Sequence, residues 1–160
     1  MNKSSIVATM LVGVSLMSGH RALAQDPAPD ENLRLFRKDV RSLKKQIVAA
    51  NMSLSDTEAQ QFWPIYDSYT AELSTIMDKK YALLNEYAQN YTSITNEQAE
   101  SYVQGRAAVE ESMMQLRLKY FPIFRKVISG KSTARFFQMD WRLGLIMELQ
   151  LASQTPLVEP

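Results

Sequence analysis

The sequence predicts an all-α fold of four long helices, and three observations carry that expectation. Leu, Met, Ala, Gln, Glu, Lys and Arg are common, and no stretch alternates apolar and polar residues as a strand would. The chain of 160 residues has 5 glycines, 6 prolines and 46% hydrophobic residues, which suits one packed domain rather than a disordered chain. The stretch from Leu54 to Tyr91 has no glycine and one proline, Pro64, and its apolar residues recur every three or four positions.

The N-terminus is expected to lie outside the fold. Met1-Asn2-Lys3 is basic, Ile6 to Met17 is a short apolar run, and Ala22-Leu23-Ala24 supplies the small residues a signal peptidase reads. The run is shorter than the roughly 20 apolar residues of a membrane span. Residues 1–24 therefore read as a cleaved secretory signal, which exports the mature chain without a membrane span. Cleavage removes Lys3, Arg21 and His20, the only histidine, leaving 16 basic and 17 acidic side chains and neither His nor Cys. An exported chain without cysteine has no disulfide framework and must be held by packing.

Residues 25–31 contain Pro27 and Pro29 and read as a disordered lead-in, with Asp30 as an N-cap. The first helix is expected over 31–50, with Leu33, Phe36, Val40, Leu43, Ile47 and Ala50 on one stripe. Its other faces carry Arg34, Arg37, Lys38, Arg41, Lys44 and Lys45 against Asp39. This is either a solvated face or a positive surface for an anionic or unfolded partner. Arg34, Arg37, Arg41, Lys44 and Lys45 are the candidate partner contacts. Export argues against nucleic acid as that partner.

The second helix has a designed start. Ser55 is placed as N-cap and Glu58 at N3, the two halves of a capping box, with Leu54 and Ala59 as a hydrophobic staple. Phe62, Tyr66, Tyr69, Leu73, Ile76, Leu84, Tyr87 and Tyr91 form its inward stripe. Pro64 is expected to bend it, at about 3 kcal/mol if nothing compensates. The third helix, over 96–128, repeats the start with Ile94, Thr95 and Gln98, and Pro122 predicts a second bend. Ser129-Gly130 reads as a turn, residues 131–152 as the fourth helix and residues 153–160 as a tail.

At 1.5 Å per residue the second helix spans roughly 50 Å, longer than the roughly 35–40 Å diameter of a compact globule of this size. It is expected to overhang, curve or pack on a second chain. Residues 31–50 carry net +4, residues 55–100 net −6 and residues 105–142 net +5. Alternating signs suit antiparallel neighbours, within or between subunits, so long, bent helices in an extended hairpin, and a homodimer, are expected.

The two starts, Leu54-Ser55-Asp56-Thr57-Glu58 and Ile94-Thr95-Asn96-Glu97-Gln98, resemble the Leu-Thr-x-x-Gln motif of the Spy/CpxP family. The second departs from it only at Ile94, the first at Ser55 and Glu58. The resemblance covers residues 33–150. It implies a periplasmic antiparallel dimer shaped as a shallow cradle. It also implies an ATP-independent chaperone or envelope-stress adaptor that binds unfolded clients, or a module restraining an envelope sensor kinase. A related group senses metal ions.

The residues themselves favour binding over catalysis. Without His or Cys there is no ready base or thiol nucleophile, and Asp67, Glu110 and Glu111 read as solvated carboxylates. No glycine-rich phosphate loop occurs. Met113 and Met114 are the only adjacent methionines of the mature chain, and neighbours on a helix chelate Cu(I) poorly. Neither enzyme activity, cofactor nor metal is expected. Trp63, Tyr66, Tyr69 and Trp141 are the candidate apolar client surface; taken singly, each reads first as core or dimer contact.

Overall fold

The computed structural model describes residues 29–158, and the side chains from Val40 onward except Gln154. The expected signal and most of the expected lead-in lie outside the described residues. Four helices follow one another: α1 (Pro29–Asn51), α2 (Asp56–Asn90), α3 (Asn96–Arg125) and α4 (Gly130–Gln154). No strand occurs among the described residues, so the chain is all-α.

Local chemistry sets the helix starts. At α2, the Glu58 amide donates to Ser55 Oγ at 3.3 Å and the Ser55 amide donates to Glu58 Oε2 at 2.9 Å. At α3, the Gln98 amide donates to Thr95 Oγ1 at 3.3 Å and the Thr95 amide to Gln98 Oε1 at 2.9 Å. Both capping boxes are thus complete. Leu54 and Ile94, the residues before these caps, are half-buried.

Three boundaries differ from expectation. α1 begins at Pro29, whose fixed φ and missing N–H suit a first turn, so Asp30 lies inside the helix rather than capping it. α3 ends at Arg125, three residues early, and the Val127 and Ile128 amides both donate to the Phe124 carbonyl at 3.0 Å. Ser129 is the N-cap of α4, accepting from the Ser132 amide at 3.1 Å, so Gly130 opens the helix instead of forming a turn. α2 and α3 run unbroken through Pro64 and Pro122, and both prolines face outward. There the Gln60 and Leu118 carbonyls, which the prolines leave without an amide partner, can reach water.

α2 and α3 form an antiparallel hairpin. Tyr69 meets Tyr120 with ring centroids 5.3 Å apart, and Tyr87 stacks on Tyr102 at 4.5 Å. α4 folds back over the hairpin through Phe136, which lies 4.6 Å from Phe124 and 5.5 Å from Phe62. Val48 and Met52 bring the end of α1 into the same cluster. At the other end Tyr87 donates its hydroxyl to the Pro156 carbonyl at 2.8 Å, tying the tail down.

The stripe of α2 is therefore buried within the chain at Phe62, Tyr66, Tyr69, Leu73 and Tyr87. The long helix was expected to overhang, curve or pack on a second chain; α3 and α4 of the same chain, 30 and 25 residues long, cover this face. The aromatic cluster carries much of the packing. Edge-to-face pairs contribute about 0.5–1.5 kcal/mol each beyond area burial. Phe124, fully buried between three helices, is the sharpest probe. Phe124→Ala should cost about 3–5 kcal/mol in urea unfolding with an unchanged m-value; a loss below about 1 kcal/mol would remove the cluster from its central role.

Candidate functional site

The inner faces of the helices also carry charge. Asp140 of α4 is 4% exposed, and its carboxylate collects a donor from each of the other helices. Oδ2 accepts from the Tyr69 hydroxyl of α2 at 2.9 Å and from Arg117 Nε of α3 at 3.0 Å; Oδ1 accepts from Lys44 Nζ of α1 at 3.4 Å. An unpaired carboxylate at this depth would be strongly penalised. Two cations and a phenol make it tolerable, so the buried charge fixes how all four helices meet.

A second layer lies eight residues along α4, about 12 Å away at 1.5 Å per residue. Lys80 of α2, only 2% exposed, donates to Glu110 Oε1 of α3 at 3.2 Å and to Glu148 Oε2 of α4. Arg106 Nη2 donates to Glu148 Oε1 at 2.6 Å and sits 3.7 Å from Glu110. Burial raises the Glu148 carboxyl, but the hydrogen bonds and charges of Lys80 and Arg106 outweigh it and hold the group below its usual range. Its stabilising contribution is complete above about pH 4.5 and is lost as pH falls through its lowered pKa.

Between the layers lies a cleft of about 760 Å³, bounded by all four helices. Leu73, Met77, Met113 and Met147 make its apolar wall; Arg41, Lys44 and Arg117 stand on its polar side. Tyr66 lines it as well, with its ring held against Phe62 at 6.0 Å and Trp63 at 5.4 Å. Burial first, then the charges of Asp140 and Asp67, push the Tyr66 phenol up to about 12.

The expected site residues divide. Arg34 and Arg37 lie on α1, with side chains outside the described residues. Arg41 donates to Ser74 Oγ at 3.1 Å, Lys44 serves Asp140, and Lys45 meets Asp67 at 2.6 Å. These three face α2 and α4 and pin α1 to them. Tyr66 and Tyr69 are buried and cannot form an exposed client surface; Trp63 is half-buried; Trp141 is 45% exposed. Around Trp141 the structure adds residues the sequence did not single out. Met114, Leu118 and Phe121 share one exposed face of α3, and Trp141, Leu145 and Leu149 share one of α4. Phe137 joins the two, 6.1 Å from Phe121 and 6.4 Å from Trp141.

Among the described residues no three His, Cys, Asp or Glu side chains converge to hold a metal, and no described helix is long and apolar enough to cross a membrane. Comparison with protein-family models, curated proteins and solved structures finds no match. The resemblance to the Spy/CpxP family thus rests on the two capped helix starts.

The buried and exposed ion pairs should separate in energy. A double-mutant cycle between Lys80 and Glu148 is expected to give a coupling of about 1 kcal/mol or more, and one between the exposed Lys45 and Asp67 less than about 0.5 kcal/mol. Equal couplings would contradict a special role for the buried layer. The tyrosines set an alkaline limit. Tyr66 and Tyr120 are both pushed up to about 12, Tyr120 by burial and its bond to Glu72. Their folded pKa values are raised, so their stability is whole below pH 10 and is lost as pH rises toward 12. Phenolate absorbance should show a late phase in that window that coincides with loss of helical circular dichroism. Complete ionisation near pH 10 with the helices intact would contradict this burial.

Proposed function

We propose that the chain is a periplasmic protein-binding module that holds unfolded or partner proteins without nucleotide, as the Spy/CpxP resemblance implies. The exposed apolar band across α3 and α4 is the observation that supports this reading. Single exposed apolar residues are ordinary, but a contiguous set of Met114, Leu118, Phe121, Trp141, Leu145 and Leu149 is not. Leu145 and Leu149 are 68% and 72% exposed. Lys126 and Arg142 are exposed cations at the junction of the two helices and on α4. Apolar contact with flanking positive charge suits adaptable binding of extended chains, and Met and aromatic side chains repack readily.

Docking on a sensor domain through the basic face of α1 is the weaker reading, because Arg41, Lys44 and Lys45 already engage Ser74, Asp140 and Asp67. The expected homodimer would use the same band, since the inner stripe of α2 is covered within the chain.

The expected outcome is near-stoichiometric suppression of aggregation of a denatured exported protein, without nucleotide. The double variant Leu118→Lys/Leu145→Lys should lose several-fold in that activity with unchanged helicity, because exposed substitutions typically shift stability by under about 0.5 kcal/mol. No suppression at several-fold excess, or full activity in the double variant, would overturn the proposal. If the mass in solution is that of a dimer and the double variant reduces it to a monomer, the band serves self-association instead.

A further inference from the structure

The apolar band does not explain the cleft between the two charged layers. Tyr66 is 3% exposed, yet its hydroxyl is the one buried side-chain polar atom among the described residues without a hydrogen-bond partner. Natural cores seldom leave such a group unpaired without a reason. This hydroxyl belongs to a side chain that lines the cleft.

The charges that act on this phenol are those of Asp140 and Asp67, and Asp140 is in turn held by two cations that line the same cleft. Lys44 and Arg117 both serve the single carboxylate of Asp140, so this cluster carries one uncompensated positive charge. Arg117 bonds Asp140 through Nε, leaving its Nη groups unused by that contact, and Lys44 has further N–H donors beyond its one bond. Unused donors and a surplus charge of one call for a monoanionic acceptor. A dianion would overcompensate the cluster. The other end of the cleft is internally balanced, with Lys80 and Arg106 against Glu110 and Glu148, and offers no charge to a second head group. Between the two ends, Leu73, Met77, Met113 and Met147 present apolar and adaptable surface.

Gly144 lines the passage. It lies on α4 between Asp140 and Glu148, and a Cβ added there would meet only Arg117 Nη2, at 3.9 Å. A methyl group fits there without displacing a neighbour, so a larger side chain is needed to fill the cleft. The volume of about 760 Å³ falls within the range of small-molecule sites, roughly 300–1,000 Å³.

We infer that this cleft binds a single-chain amphiphilic carboxylate, a fatty acid in chemical class, with its head at Tyr66, Lys44 and Arg117 and its chain along Leu73, Met77 and Met113. The Tyr66 phenol, its pKa raised well above neutral, stays protonated and donates to the carboxylate. The cleft shares Trp141 and Leu145 with the α3/α4 band but differs from it in its polar anchors, so a variant at Tyr66 tests it separately from protein binding.

Calorimetric titration of the delipidated full chain with sodium dodecanoate, well below its micellar concentration, tests the inference. Saturable one-to-one binding is expected, at least about ten-fold weaker for dodecan-1-ol and undetectable for acetate. Tyr66→Phe removes an unpartnered hydroxyl and should leave the fold intact while weakening dodecanoate about ten-fold, the scale of one hydrogen bond to a charged group. Gly144→Leu should fill the cleft and abolish binding. Absence of saturable binding in the unaltered chain would overturn the inference. So would affinities within two-fold of it in both variants, or equal affinity for dodecanoate and dodecan-1-ol.

Discussion

The carboxylate of Asp140 is the contact on which the arrangement of the helices depends. Burying one charge costs several kcal/mol unless it is paired and hydrogen-bonded, so a fold that places it 4% exposed must bring its partners with it. Those partners are Lys44, Tyr69 and Arg117, one from each remaining helix. Apolar packing alone would let the helices slide or rotate by a turn at modest cost. A charge with three directional donors admits one register.

Packing and polarity divide the bundle along its length. One end is aromatic, where Phe62, Phe124 and Phe136 exclude water entirely. The middle carries the two charged layers and the cleft between them. The far end closes on the Tyr87 and Tyr102 stack. α1 joins firmly only at the aromatic end, through Val48 and Met52. Further along, its described contacts with α2 and α4 are polar: Lys45 with Asp67, Lys44 with Asp140, and Arg41 with Ser74. Exposed pairs of that kind contribute little individually, so the weight falls on the buried one.

Much of the fold was legible in the sequence because its signals are local. Capping boxes act across three residues, and Ser55 with Glu58 and Thr95 with Gln98 stand where the pattern places them. The end of α3 and the start of α4 were less legible: the Val127 and Ile128 amides close onto the Phe124 carbonyl, and the Ser129 cap has Ser132 where the other two starts have Glu or Gln. The site was barely legible. Asp140 sits in a basic block and Lys80 in an acidic one, and charge balance alone gave neither any prominence. One signal was present: Lys80 falls on the apolar stripe of α2, four residues from Ile76 and seven from Leu73 and Tyr87. A lone cation on an inward stripe implies a buried partner, but which carboxylate answers it is decided by tertiary packing. The aromatic residues were ambiguous for the same reason, since Tyr66 and Trp141 look alike by periodicity and differ only in what covers them.

Amide hydrogen exchange of the Asp140→Asn variant tests the central claim most directly. If the buried charge fixes the four helices, protection should fall around Val40 to Lys45 of α1 and through the middle of α4, while the hairpin amides near Tyr87 and Tyr102 keep theirs. Unchanged protection in α1, or an even loss across all four helices, would contradict a clasp centred on this carboxylate.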